Sequence, residues 1–280
     1  MKSRVSHGYT IVESMIFLAV SSALFAMVVV TLQGRQASTE FSAATREMES
    51  RIKDIINDVE TGYYAGTDGL KCETGPPNGE LSFSVPEGGQ RGTSGDCMFI
   101  GKAIQFGVTG DDKAYNVLSI AGARTVWQSG KTTELVDRYD ESRPVAMEQT
   151  VQNMRLPTGL VFAGMRASHG LRSTVAFMAP LNNYLSMEGT GSLSLAQAVA
   201  LPALDKTGGS RTSTLSEAVE LIKGIRSSHE EMSYDSILTP YVEVCMNGDA
   251  VNRHVIYQIG NAQRRGEVEV IIGEGICVDA

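Results

Sequence analysis

The feature that most limits how this chain can fold is an uncharged run of nineteen residues, Ser14 to Leu32. A helix of this length measures about 28 Å, which matches the hydrocarbon thickness of a bilayer. Lys2 and Arg4 lie in the opening stretch 1–8, which contains no acid, and this favours an N-terminus in the cytoplasm and the remaining chain outside. The sequence therefore predicts one membrane-crossing helix and an extracytoplasmic body.

Two ordinary interpretations of the run are a secretory signal and a plain membrane anchor. A removable signal has an apolar run of roughly seven to fifteen residues that ends in small residues. This run is longer, although Ala19-Val20-Ser21 has the character of such a site. Neither interpretation explains Glu13 at the start of the run, because a carboxylate that faces lipid costs about 2–3 kcal/mol.

The segment Gly8-Tyr9-Thr-Ile-Val-Glu13 resembles the processing site of type IV prepilins. In that family a membrane peptidase cuts after the glycine of a short basic leader, the new N-terminal residue is methylated, and an acid lies five residues into the mature chain. The resemblance implies leader cleavage between Gly8 and Tyr9, N-methylation of Tyr9 and an assembly role for Glu13. The family usually has Phe where this chain has Tyr9.

The motif also has a physical logic of its own. Cleavage after Gly8 creates an α-amine on Tyr9, and such amines have a pKa near 7.7–8.0, so most are protonated at neutral pH. In a bundle of helices shifted by a few residues, Glu13 of one chain meets the Tyr9 ammonium of another. Because an unpaired carboxylate is strongly penalised in apolar surroundings, the pair acts mainly as a register device.

The helical pattern continues beyond the uncharged run. Apolar residues recur at spacings of three and four, which predicts an amphipathic helix, and they are Phe41, Ala44, Met48, Ile52, Ile55 and Val59. The opposite face carries the i,i+4 pairs Glu47–Arg51 and Glu49–Lys53. We expect one helix from Ile11 to about Glu60, ended by Gly62. The alternative is an anchor helix and a separate amphipathic helix, divided at Gly34.

The remaining chain is predicted to be rich in β-strands with one helix. The expected strands are Leu81–Val85, Met98–Ile100, Ala103–Phe106, Tyr115–Ile120, Ser173–Met178, Tyr241–Met246, His254–Ile259 and Val268–Ile272. Turns are expected at Gly101-Lys102 and Asn247-Gly248. The capping box Thr214-Leu-Ser-Glu217 predicts a helix start, Ser194–Ala200 is expected to form a shorter helix, and Gly208-Gly209-Ser210 a loop.

Outside the cytoplasm the four cysteines favour disulfides. Three connectivities are possible, and buried free thiols are the alternative. We expect Cys72–Cys97 and Cys245–Cys277, because each pair joins neighbouring segments. A C-terminal disulfide-closed loop also recurs in pilins, so the resemblance supports the second pair.

Little in the sequence indicates an enzyme. The formal net charge is −8, which disfavours non-specific nucleic-acid binding. Gly130-Lys131-Thr132 ends like a phosphate-binding loop, but Thr125 stands where the first glycine is needed. Zinc-site and Gly-x-Ser-x-Gly spacings are absent from the sequence. We therefore expect no enzymatic activity, no cofactor and no metal.

The resemblance implies a type IV pilin-like α+β fold, a long N-terminal helix packed on a mainly antiparallel β-sheet head. Its expected parts are the leader 1–8, the apolar helix 9–34, the amphipathic continuation 35–62 and one extracellular head, 63–280. The implied function is a structural subunit that lies in the cytoplasmic membrane with lipid around its helix and then joins a helical surface filament. The implied partners are other copies and other pilins, a prepilin peptidase, and an assembly platform with its ATPase.

Two alternatives stay open. One is a minor pilin or a secretion pseudopilin. The other is a surface adhesin or enzyme that keeps an unprocessed membrane anchor. Adhesion, twitching motility and DNA uptake are all compatible with the sequence.

Overall fold

The computed structural model describes residues 10–62, 71–75, 80–84, 97–128, 131–135, 142–167, 170–178, 197–201, 213–224, 242–260 and 267–277. The chain is α+β, with an N-terminal apolar helix and antiparallel sheets. Its elements are α1 (Ile11–Thr61), β1 (Lys71–Gly75), β2 (Glu80–Ser84), β3 (Cys97–Val108), β4 (Asp111–Ala123), β5 (Thr125–Gln128), β6 (Lys131–Leu135), β7 (Val145–Arg155), β8 (Leu160–Ala167), β9 (Gly170–Arg172), β10 (Thr174–Met178), β11 (Gln197–Leu201), α2 (Leu215–Gly224), β12 (Val242–Gly248), β13 (Arg253–Ile259) and β14 (Val268–Glu274).

The helix α1 is a single rod of 51 residues, about 76 Å long. Thr10 caps its start, where the Oγ1 atom accepts a 3.3 Å hydrogen bond from the Glu13 backbone N–H. Gly62 ends it in the left-handed region at φ 69°, and its N–H bonds the carbonyls of Asp58 and Val59. The helix continues through Gly34, so the one-helix prediction is confirmed and the alternative of two helices is wrong.

In the described part of the head, the strands form two five-stranded antiparallel sheets and two two-stranded pairs. Sheet I has the strand order β11-β10-β3-β4-β7, sheet II has the order β14-β13-β12-β8-β9, and β1-β2 and β5-β6 are separate pairs. The predicted meander of the last three strands is confirmed, since β12 pairs with β13 and β13 with β14. Sheet II thus ends at β14 on one side.

One hydrophobic core joins the second half of α1 to both sheets. Met48, Ile52 and Val59 of the predicted stripe are fully buried in it, together with side chains of β3, β4, β8, β10, β12 and β13. A second cluster forms on the other face of sheet I, where α2 packs. Phe177 of β10 belongs to the cluster with α1, and the next residue, Met178, belongs to the cluster with α2. This is expected because successive side chains of a strand point to opposite faces of the sheet. Sheet I is therefore covered on both faces.

The capping box at the start of α2 is confirmed. The Glu217 carboxylate accepts a 2.6 Å hydrogen bond from the Thr214 N–H, and the Thr214 Oγ1 atom accepts a 3.2 Å bond from the Glu217 N–H. The preceding Ser213 is buried and bonds Gln105 of sheet I at 2.7 Å through its carbonyl. These contacts fix where α2 begins against the sheet.

Three local predictions are wrong. Gly101 and Lys102 lie within β3 and form no turn; a Cβ at Gly101 would collide with the Phe177 carbonyl, so this glycine permits close approach of β10. Residues 197–201 form β11, because pairing with β10 overrides the helix preference of this alanine-rich segment. Asn247 and Gly248 belong to β12, because the strand pairing extends to Asn247↔His254 and Gly248↔Leu160. The loop predicted at 208–210 lies outside the described residues.

Candidate functional site

The first part of α1 is an apolar rod that the rest of the chain leaves uncovered. Ile11–Val29, called the apolar segment below, has a mean hydropathy of 2.1 and none of it is buried. Phe17 and Phe25 are 73 % and 72 % exposed. It is the one helix in the described part of the chain that is long and apolar enough to cross a membrane, and it is therefore a candidate membrane anchor or signal sequence.

Glu13 lies in the first turn of this rod and is exposed. Within the described residues its carboxylate forms no ion pair, and only its backbone N–H is engaged, by Thr10. An acid in the first turn is favoured by the positive end of the helix dipole. Gly8 and Tyr9, the predicted cleavage and methylation residues, lie outside the described residues. The predicted contact of Glu13 with an amino terminus stays a prediction.

The second part of α1 is fixed to both sheets by polar contacts in addition to the core. The buried Tyr257 hydroxyl of sheet II donates a 3.0 Å hydrogen bond to the Thr45 carbonyl, and burial raises the pKa of Tyr257 above its ordinary value. Arg51 donates to the Arg155 carbonyl at 2.7 Å and to the Tyr115 hydroxyl at 3.2 Å. These contacts hold the helix as a spine of the head.

A partly buried ion pair also connects α1 to sheet I. The Lys102 Nζ atom lies 2.6 Å from Oδ2 of Asp58, and the Lys102 side chain is only 6 % exposed. Removing a lysine from water is costly unless its charge is compensated. The pair therefore specifies the position of the last turns of α1 against β3.

The outward face of the second part of α1 is polar. The predicted ion pairs are present. The Arg51 Nη2 atom lies 2.6 Å from Oε1 of Glu47, and the Lys53 Nζ atom lies 2.5 Å from Oε1 of Glu49. The exposed residues of this face include Arg46, Glu47, Ser50, Lys53, Asp54 and Asn57. Among the described side chains of α1, the large exposed apolar ones thus all belong to the apolar segment.

A disulfide joins Cys245 of β12 to Cys277, the same pair that the sequence analysis expects. The Cα atoms are 6.4 Å apart, within the range of ordinary disulfides, and the Cys277 N–H donates a 2.8 Å hydrogen bond to the Asn247 side chain. Cys97 is disulfide-bonded as well. The side chain of Cys72 lies outside the described part of the chain, so the 72–97 pairing stays a prediction.

The structure gives no support for a phosphate-binding loop at Lys131 or for a metal site within the described residues. Lys131 begins strand β6 and pairs with Gln128, whereas a phosphate-binding loop is followed by a helix. Within the described residues, three or more metal-binding side chains do not come together anywhere.

Sequence reasoning missed the residues that attach the helix to the head, Thr45, Lys102, Arg155 and Tyr257. A signal existed for Lys102, since a charged residue inside an apolar run is unusual. For the others the contacts are made by backbone carbonyls or by partners far along the chain. The predicted and observed site residues therefore separate into two groups, one around Glu13 in the exposed apolar segment and one along the spine within the head.

Comparison with known proteins adds no relative, because no protein-family model, curated protein or solved structure matches the chain.

Proposed function

We propose that the chain is a structural subunit of a type IV pilus-like surface filament. It is made as a membrane precursor, loses residues 1–8 and assembles with other copies through α1. The single observation that carries this proposal is the division of α1 into an exposed apolar segment and a spine embedded in a β-rich head.

The apolar segment has to be covered by lipid or protein. Eleven large apolar side chains between Ile11 and Val28 are more than half exposed. Burial of such side chains is worth about 1.5–3 kcal/mol each, so leaving all of them in water costs about 15–30 kcal/mol. A domain is stable by only about 5–15 kcal/mol. Lipid satisfies this demand before assembly, and a bundle of neighbouring helices satisfies it afterwards.

The apolar segment of a plain membrane anchor would also be covered by lipid. The presence of Glu13 is the feature that favours a filament subunit over a plain anchor. The carboxylate lies within the apolar segment, and the described residues of its own chain give it no cationic partner. A terminal amine on Tyr9 of a neighbouring copy, created by cleavage after Gly8, supplies one. A subunit out of register leaves the carboxylate unpaired in apolar surroundings, which costs about 2–3 kcal/mol, or about thirtyfold or more in population.

The head fits a filament exterior. Its core and the Cys245–Cys277 disulfide stabilise it independently of the apolar segment, and a disulfide suits an oxidising exterior. The structural role needs no catalytic centre. A minor pilin or pseudopilin would use the same geometry in smaller amounts, so the abundance of the chain in sheared filaments distinguishes the two.

The test compares Glu13→Gln with the matched control Asp54→Asn. Both replace an exposed carboxylate of α1 by its amide, but Asp54 lies on the polar face of the spine. We expect Glu13→Gln to be inserted and cleaved normally and to fall at least tenfold in the sheared surface fraction, while Asp54→Asn behaves as wild type. Equal amounts of filament from both variants would refute the register role.

A further inference from the structure

Large exposed apolar side chains in the described part of the head are confined to one place. Ile271, Ile272 and Ile276 are 43 %, 46 % and 60 % exposed, and all other large exposed apolar residues in the described chain belong to the apolar segment of α1. Ile271 and Ile272 lie in β14, and Ile276 follows it. We call these three isoleucines the β14 flank. Because successive residues of a strand point to opposite faces, Ile271 and Ile272 expose apolar surface on the two sides of this strand, and exposed apolar surface of this kind is found at interaction sites.

The strand that carries the flank is the outermost strand of sheet II. Edge strands are normally protected by central charges, prolines or bulges. The charges of β14 stand near its ends, at Glu269 and Glu274, and its register with β13 is uninterrupted. The middle of the strand is thus an unprotected apolar edge within the described part of the chain.

The flank lies beside α1, close to the point where the helix leaves the head. Val268 and Val270 pack in the core that contains α1, and Ile272 follows on the same face of the strand. Ile272 pairs with Val255 in the register of β13. Two residues before Val255, Arg253 stacks over the Phe41 ring, with 5.6 Å between the Arg253 Cζ atom and the ring centroid. Two residues after it, the Tyr257 hydroxyl donates a hydrogen bond to the Thr45 carbonyl.

Ile272 therefore lies level with the turn of α1 between Phe41 and Thr45. At a rise of about 1.5 Å per residue, a neighbouring copy brings its apolar segment to this level when it is displaced along the axis by about 20–50 Å. A helical assembly surrounds each chain with neighbours at several axial offsets. One set of neighbours at such an offset is enough to cover the flank.

We infer that the β14 flank receives the apolar segment of α1 from a neighbouring copy of this chain. This inference rests on the proposed function and adds the contact that the head makes in the filament. Both surfaces are apolar, both are exposed, and residues 14–32 carry no charge that the isoleucines would have to desolvate. In the assembled filament, the contact keeps both apolar surfaces away from water.

The test places a photoreactive benzophenone amino acid at Ile272 in the full-length chain, expressed where wild type forms filaments. The matched control carries it at Gln152, an exposed position on β7 at the edge of sheet I. After irradiation, the adducts are mapped by peptide mass spectrometry. We expect the Ile272 probe to yield a two-chain adduct within residues 11–29 of the second copy, at least tenfold more than the Gln152 probe. In parallel, Ile272→Asp is expected to reduce the sheared fraction, whereas Gln152→Glu leaves it unchanged.

The outcomes separate this inference from the proposed function. If filaments form but the Ile272 adduct falls on another protein, on lipid, or on another part of the second copy, the inference is overturned and the filament stands. An assembled chain that gives no adduct at Ile272 also overturns it. If the chain keeps residues 1–8 and does not assemble, both fail together.

Discussion

Replacing Asp58 by Asn tests whether α1 is fixed in the head as a spine. In the wild-type chain the Asp58 carboxylate lies 2.6 Å from the ammonium of Lys102, and these side chains are 30 % and 6 % exposed. The amide removes the negative charge and leaves the lysine buried. Breaking a buried pair from one side costs about 3–5 kcal/mol, and the partial exposure of Asp58 places the expected loss near the lower end, at about 3 kcal/mol.

The assay is urea unfolding of the full chain in detergent, followed by the near-ultraviolet signal of the head. Asp54→Asn, four residues earlier on the exposed face, is the control and is expected to change the free energy of unfolding by less than about 0.5 kcal/mol. A loss in Asp58→Asn no larger than in this control would refute the claim that the pair positions the helix. Lys102→Met replaces the cation by an apolar side chain of similar length, and it is expected to be less destabilising than Asp58→Asn.

Three further changes probe the head. Cys245→Ser opens a disulfide that spans 32 residues, and thermal unfolding should show a loss of about 3–4 kcal/mol; an unchanged midpoint would contradict the structural role of the bond. Met48→Ala should cost about 2–5 kcal/mol, because this side chain is fully buried between α1 and the sheets, whereas Ser50→Ala on the exposed face should be neutral. Burial raises the pKa of Tyr257 above its ordinary value, so the stability from its neutral phenol is complete below about pH 10 and is lost as the pH rises above that value. Tyr257→Phe should remove that part of the alkaline loss, and identical alkaline unfolding profiles for both proteins would contradict it.

The helix α1 could be predicted almost to the residue, because three independent signals agree on it. The uncharged run, the stripe that ends at Val59 and the glycine at position 62 are all local patterns, and a helix is stabilised by local contacts. The same holds for the capping box at Thr214. Where the pattern and the hydrogen bonds involve residues a few positions apart, the sequence is sufficient.

The sheets were predictable only in part, because strand pairing is non-local. β7 was not predicted at all, since its burial alternates irregularly and a register shift occurs opposite residues 117–119 of β4. At Gly101 the sequence suggested a turn, but the glycine serves the close approach of β10. The order of strands within sheets I and II has no local signature, so it could not be derived from the chain.

The candidate site residues also include some that a local sequence pattern identifies and some that it does not. Glu13 stands out because a carboxylate beside an apolar run is expensive, and the pair Glu47–Arg51 follows from i,i+4 spacing. The second role of Arg51, donating to Arg155 and Tyr115, joins residues 104 and 64 positions apart. Such contacts depend on the assembled fold, and no spacing rule identifies them.

The N-terminal residue of the mature protein tests the central claim most directly. Intact-mass and N-terminal peptide analysis of chain taken from the surface fraction should show a polypeptide that begins at Tyr9, with residues 1–8 absent and one methyl group on the α-amine. A functional protein that still begins with Met1 would contradict the account, because no new amine would then be available to pair with Glu13 of a neighbouring copy.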